Sequence, residues 1–260
     1  MRDIHMKKLA LTISLAAILA ACGAAEQSVK GAANTDLGAK VTDAAKQSTA
    51  ATKHAADKMA EFVTDKIPPK LADTAAGTYS LDKSHAFLTA SVSHGGLSDY
   101  RMDFTDLDAT IQLDPSDTSK TSISFTVNPA SIKTHYPGDY KAGHAKTGFE
   151  SWDEHISKHA KFFNSDNFPK ASFQSTTTKR TGPYTAKVTG DLTFLGVSKA
   201  VTFDVKYNGV GNKPWFGERD LIGFNADTTI SRSEFGLTAL KGGIGDEVSL
   251  SFSGEFLQNE

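Results

Sequence analysis

The chain is 260 residues long, 22% charged and 39% hydrophobic, with a formal net charge of -2 and a single cysteine. That composition is globular and leaves room for one sizeable domain plus a tether. It excludes a polyanion-binding protein, since there is no basic stripe, no interleaving of arginine with aromatics and no phosphate loop after a strand. One cysteine also excludes an intramolecular disulfide and cysteine-rich metal or redox chemistry.

At the N-terminus the cationic pair Lys7-Lys8 precedes an apolar run from Leu9 to Leu19, which closes on Leu19-Ala20-Ala21-Cys22. Asp3 is unusual in a cationic leader and makes Met6 a candidate start. The order is that of a secretory signal, residues 1–21, ending in a lipobox. Small residues before the cut let the signal peptidase read the backbone, and the Cys22 thiol takes a diacylglycerol thioether. Two or three acyl chains then hold the domain at a membrane, each buried CH₂ contributing roughly 0.8 kcal/mol. The expected address is the bacterial cell envelope, anchored through Cys22 and facing the periplasm. Gly23 is not the acidic residue that retains lipoproteins at the inner membrane in the sorting pattern this resembles, so the outer membrane is favoured.

Residues 22–76 read as a tether rich in Ala, Lys, Asp, Thr and Ser. Within it Leu37, Val41, Ala44, Ala51, Ala55, Met59, Phe62 and Ile67 recur at helical spacing up to Pro68-Pro69, which predicts a partly helical stalk. Alanine dominates its apolar face, so each turn buries little area, and a semi-rigid spacer is favoured over a membrane-surface helix.

From residue 77 to 260 the apolar period changes to two. Tyr184, Ala186, Val188, Leu192 and Phe194 share one parity, as do Val201, Phe203, Val205 and Tyr207, and Val248, Leu250, Phe252 and Phe256. Similar alternation marks Leu107 to Leu113, Ile123 to Val127 and Phe224 to Ile230, with shorter runs from Tyr79 and Ala171. About eight half-buried strands result. Turns are expected at Asp114-Pro115-Ser116, Thr181-Gly182-Pro183, Leu195-Gly196 and Gly209 to Pro214. Short turns between so many antiparallel strands favour an all-β, eight-stranded up-and-down barrel over a sandwich. A barrel of that size is either filled by its own side chains or holds one slender apolar ligand. A short helix between Phe149 and His159 interrupts the pattern, inside an irregular insertion from about Thr134 to Pro169.

Several motifs in this domain resemble the YceI-like, polyisoprenoid-binding, lipocalin-like family. They are Asp82-Lys83-Ser84-His85, Phe162-Phe163-Asn164, Phe168-Pro169-Lys170-Ala171-Ser172-Phe173, Gly190-Asp191-Leu192-Thr193, Arg232-Ser233-Glu234-Phe235-Gly236-Leu237 and Gly245-Asp246-Glu247-Val248. The resemblance spans about Gly77 to Phe256 and implies an antiparallel barrel around an apolar tunnel for an isoprenoid or similar lipid tail. Asp99-Tyr100-Arg101-Met102-Asp103-Phe104 departs from the family's usual second strand.

The expected tunnel wall comprises Phe125, Phe173, Leu192, Phe194, Phe203 and Ile230. Phe162 and Phe163 cannot both follow a strand's alternation, so the pair is placed where the insertion meets the barrel, either gating a mouth or sealing a corner with Phe168 and Trp152. Arg232 shares parity with Phe224 and Ile230 and points inward. It then needs Asp82, a ring of backbone carbonyls or a ligand head group as partner.

Catalysis has little support. His155 and His159 have a spacing that could share a metal, yet no Glu follows in the metalloprotease pattern, and a third ligand, His135 or His144, would come from the irregular insertion. No Gly-x-Ser-x-Gly elbow occurs, and Gly209-Val210-Gly211 precedes no helix. The expectation is therefore a non-enzymatic lipid carrier or reservoir without cofactor other than a bound isoprenoid or fatty lipid, its partners that lipid and the membrane. Homodimerisation is left open. The alternatives are an interaction protein with a solid barrel and, more remotely, an isoprenoid-modifying enzyme.

Overall fold

The computed structural model describes residues 71–260. The signal, Cys22 and the tether up to residue 70 lie outside them. Ten strands follow in order: β1 (Gly77–His94), β2 (Ser98–Phe104), β3 (Leu107–Leu113), β4 (Ser122–Val127), β5 (Ile132–Lys133), β6 (Ala171–Arg180), β7 (Thr185–Phe194), β8 (Val197–Asn212), β9 (Asp220–Ser231) and β10 (Ile244–Gln258). Two short helices, α1 (Tyr140–His144) and α2 (Trp152–Lys158), lie between β5 and β6.

Eight of these strands close a ring, β1-β3-β4-β6-β7-β8-β9-β10, and β10 pairs back onto β1 from Tyr79 against Gln258 to His94 against Ile244. All pairings are antiparallel. β2 and β5 extend the wall at one end only, where the second half of β1 pairs with β2 and β2 with β5. At that end the insertion stands where β3 and β4 line the wall at the other.

The inward parity is the one that the alternation predicts. Val188, Tyr207, Phe252 and Phe256 are buried, whereas Lys187, Lys206, Ser251 and Ser253 on the other parity are exposed. Hairpins at the insertion end turn tightly. Gly95 and Gly96 have φ of 62° and 69°, and Leu195-Gly196 has 51° and 76°, the double positive φ that a two-residue turn needs to match strand twist. The expected turn from Gly209 to Pro214 is a correction: β8 runs on to Asn212 through a register shift between Tyr207 and Gly209, and the chain turns over residues 213–219.

Asp82-Lys83-Ser84-His85 makes a bulge. Leu81 faces Phe256 and Ala86 faces Gly254, so β1 holds surplus residues there, and its inward parity changes from Tyr79 and Leu81 to Leu88, Ala90 and Val92. Asp82 accepts hydrogen bonds from the Ser84 backbone N–H (3.0 Å) and hydroxyl (2.6 Å) and pairs with His85 Nδ1 at 2.8 Å. Those bonds, the Ser84 hydroxyl first, hold its carboxyl below the usual range. The motif shapes the strand locally.

The opposite end is closed by the segment entering the barrel. Leu71 packs on the core, Thr74 Oγ1 meets the Tyr207 hydroxyl at 2.6 Å, and the Tyr79 hydroxyl donates to the Ala75 carbonyl at 2.7 Å. Residues 71–76, assigned above to the tether, thus lie against the barrel.

One inward position on β7 carries no side chain. A Cβ on Gly190 would lie 2.6 Å from Phe173 Cζ and 2.3 Å from the Gln174 carbonyl. Gly190→Ala should therefore cost about 2 kcal/mol or more in chemical denaturation, since the Gln174 carbonyl and the Ser175 Cα, 2.7 Å away, belong to the β6 backbone and cannot give way as a side chain can. Gly143→Ala, where a Cβ meets nothing within 4 Å, is the neutral comparison.

Candidate functional site

The lumen is not solid. At the insertion end the inward residues surround a chamber of about 360 Å³, and at the closed end a second one holds about 140 Å³. Leu192, Phe194, Ile230, Val248 and Leu250 face inward yet remain only half-buried, because they border unfilled space. The solid-barrel alternative is corrected by this volume.

The strands explain which residues reach which chamber. Along β7, Phe194 and Leu192 line the larger, Val188 and Ala186 the smaller; along β10, Val248 and Leu250 line the larger, Phe252 and Phe256 the smaller. Of the expected wall residues, Leu192, Phe194 and Ile230 border the larger chamber, as do Phe162, Phe163 and Arg232. Phe125, Phe173 and Phe203 border the smaller. In place of a single tunnel there are thus two chambers, and the expected aromatic residues are shared between them.

The insertion covers the larger chamber. Ser151 caps α2 through the Glu154 N–H (3.1 Å), and Asp139 caps α1 through Lys141 and Ala142. Asp153 latches α2 to the wall by accepting from the Thr134 N–H (2.8 Å) and hydroxyl (2.7 Å), and His135 bonds Asp103 at 2.7 Å. Phe163 is buried, stacked on Phe104 at 6.0 Å and edge-on to Phe194 at 5.5 Å. Phe162 turns the other way, into a cluster of His155 and His159. Phe168 packs against Gly196 instead of joining that cluster.

The histidines of the insertion are structural partners of aromatics. His155 lies between Phe149 (4.9 Å, 15°) and Trp152 (5.2 Å, 17°) and meets the Tyr140 hydroxyl at 2.7 Å through Nδ1. Burial, helped by His159 and His144, holds its imidazole below the ordinary pKa of 6.5. Among the described residues one group, Asp82, His85 and Glu255, brings metal-ligating atoms together. It lies at the β1 bulge, on the strand segment facing β10 at Gly254, and its His85 is exposed.

Arg232 is buried, with 6% of its surface accessible. Among the described residues its partners are backbone carbonyls and no carboxylate. Nε donates to the Gly245 carbonyl (2.7 Å), Nη1 to Leu237 (2.9 Å) and Ala239 (2.8 Å), and Nη2 to Ile244 (3.1 Å). Of the three partners considered for it, the carbonyl ring is the one present, and Asp82 is bound to Ser84 and His85 instead. The guanidinium thereby fixes the β9–β10 loop, which supplies Leu237, Ala239 and Leu240 to the chamber.

Sequence reasoning missed Tyr100, Met102 and Phe104 of β2, which alternate inward and line the chamber. The signal was present in the alternation with Asp99, Arg101 and Asp103. Among the described residues the Tyr100 hydroxyl is the buried side-chain polar atom without a hydrogen-bond partner, and burial raises its pKa. Thr134, its polar neighbour, stands outside hydrogen-bond geometry and spends its own proton on Asp153.

A YceI-like domain model matches residues 79–256. The chain belongs to the YceI-like family. It is similar to a UPF0312 protein of Pseudomonas putida (strain F1), 39% identical over 164 residues that make up 62% of this chain and 77% of the relative. YceI of Salmonella arizonae is 34% identical over 187 residues, 71% of this chain and 89% of that protein. The fold matches Burkholderia cenocepacia BcnA with a TM-score of 0.54 at 20% identity, over 69% of this chain and 99% of that one. In this YceI-like chain the family motifs divide by role: Asp82 to His85 shape β1, Arg232 holds a loop, and the Phe162-Phe163 pair joins lid to wall.

Two predictions follow from these contacts. Arg232→Met strands the carbonyls of Leu237, Ala239, Ile244 and Gly245. It should cost about 3 kcal/mol or more in denaturant unfolding, with Arg232→Lys recovering only part, because one ammonium cannot span the ring. For His155 the folded state disfavours the charged ring. Its contribution to stability is therefore complete above the ordinary imidazole pKa and lost as pH falls from there through the lowered value. With Trp215→Phe leaving Trp152 as the reporter, fluorescence should change with a midpoint below 6.5, and His155→Gln should flatten the profile.

Proposed function

We propose that this protein is a lipid-anchored, extracytoplasmic carrier or reservoir that holds the tail of an isoprenoid or similar long-chain amphiphile in the larger chamber, by burial and without chemical conversion. The observation that carries this reading is the chamber itself: about 360 Å³, walled by inward apolar side chains and filled by none of the described residues. An apolar cavity of about 150 Å³ in another protein stays dry and binds benzene, so a space more than twice as large favours a hydrocarbon over water.

The energetics suit reversible holding. Removing roughly 300 Å² of apolar ligand surface from water at about 25 cal/mol per Å² gives some 7 kcal/mol before association costs. The polar lining groups are few, namely His94, Tyr100, Tyr136, Trp152 and Arg232, and the guanidinium is already bonded to four carbonyls. That favours a neutral apolar tail over an anionic group as the buried part. Family membership supports an isoprenoid, and a fatty acid or fatty amide meets the same chemistry. The lipobox at Cys22 supports acylation and a periplasm-facing position, with the outer membrane favoured by Gly23.

Filling the space tests the reading without breaking the fold. Ala171 borders the larger chamber and is only half-buried, so Ala171→Trp projects an indole into it. Displacement of a fluorescent probe by farnesol should weaken at least tenfold, with the melting temperature nearly unchanged. A folded variant with unaltered farnesol affinity would place the ligand elsewhere.

A further inference from the structure

Four phenylalanines stand on the smaller chamber's side, next to the residues where the lining passes to the larger one. Phe125 on β4 is paired in register with Phe173 on β6. Phe125 also meets Phe252 of β10 edge-on at 5.4 Å and 79°, and Phe173 meets Phe203 of β8 at 5.0 Å and 74°. β4 and β10 are not neighbours in the ring, so the first edge contact crosses the lumen. β6 and β8 flank β7, and the second contact passes over β7 beside Gly190, the position where any side chain would collide with Phe173. Gly254 does the same for Phe252, whose Cζ would lie 2.4 Å from a Cβ there. All four rings border the smaller chamber and none borders the larger, whose lining continues on β4, β6 and β10 as Val127, Ala171 and Leu250 and on β7 as Leu192. Two inward glycines and four rings thus form one layer across the waist of the barrel.

We infer that this layer is a length stop that fixes which isoprenoid tails the protein holds. The inference rests on the carrier reading above and adds its chain-length class. If a benzene occupies about 150 Å³ of apolar cavity, the larger chamber takes on the order of fifteen carbons, which is a farnesyl-sized tail. The smaller chamber, about 140 Å³, is worth about one further isoprene unit on that scale. With the layer closed, carbons beyond the first chamber stay in water and contribute nothing to affinity. Edge-to-face ring pairs oppose opening, since each is worth more than its buried area alone.

A ladder of prenols reads this directly on the full chain: farnesol, geranylgeraniol and solanesol, with three, four and nine isoprene units, titrated against the same displaceable probe. The wild type should gain less than about twofold from farnesol to geranylgeraniol and nothing from there to solanesol. In Phe173→Leu or Phe252→Leu the chambers join, and geranylgeraniol should then bind at least tenfold tighter than farnesol, because one more unit is buried, with solanesol adding nothing further. Phe256→Leu opens space on the far side of the layer and should leave the wild-type ladder intact. A wild-type affinity that climbs through solanesol overturns the stop, and that readout stands even if the phenylalanine variants fold poorly. Folded Phe173→Leu and Phe252→Leu proteins that keep the wild-type ladder overturn it too. Failure of all three prenols to bind any of these proteins would instead sink the carrier reading.

Discussion

β10 lies against β1 from Tyr79–Gln258 to His94–Ile244, and this pairing removes the two free edges that a sheet of eight consecutive strands would otherwise expose. Closure fixes the circumference, and the circumference fixes the lumen. An eight-stranded ring leaves an interior that side chains can just fill, so whether it is solid or hollow depends on which residues point inward. In this chain the closed end receives Tyr79, Tyr207 and Phe256, with Leu71 packed beneath them. The insertion end receives Ala90, Val92, Ala171 and Ala239, side chains too small to meet across the ring. The same closure therefore encloses a small space at one end and a larger one at the other.

What surrounds the chamber is stiffened by polar contacts and not by further apolar filling. Arg232 spends four donors on carbonyls, two in the β9–β10 loop and two at the start of β10. A buried guanidinium without a carboxylate is tolerable only because those carbonyl dipoles surround it. Asp153 latches the insertion to Thr134, and the rings of Phe149, His155 and Trp152 stack within it. A lid held this way keeps its shape over an empty space, which hydrophobic collapse alone would not ensure.

Much of the barrel was legible because period-two alternation is a local property: residues of β7, β9 and β10 announce their inward face one by one. The bounds of Leu107 to Leu113 are those of β3. β2 carries the same signal in Tyr100, Met102 and Phe104, at the stretch that departs from the family's usual second strand. Other features depend on contacts that alternation cannot express. The parity change across Asp82 to His85 arises from surplus residues opposite Phe256 and Gly254. The waist layer needs Phe173 to find Gly190 on the next strand, and Phe125 to meet Phe252 across the lumen. Arg232 is buried on the parity of Phe224 and Ile230, but its carbonyl partners come from the β9–β10 loop and the first residues of β10, a path that no period encodes.

If the larger chamber holds a lipid tail in the cell, native mass spectrometry of the full chain purified from cells without added lipid detects it. The account predicts a non-covalent adduct, released by collisional activation or solvent extraction and identified as an isoprenoid or other long-chain amphiphile, present in the wild type and depleted in Ala171→Trp. Protein that is folded yet free of adduct at every activation energy, or that carries the same adduct after Ala171→Trp, would contradict it.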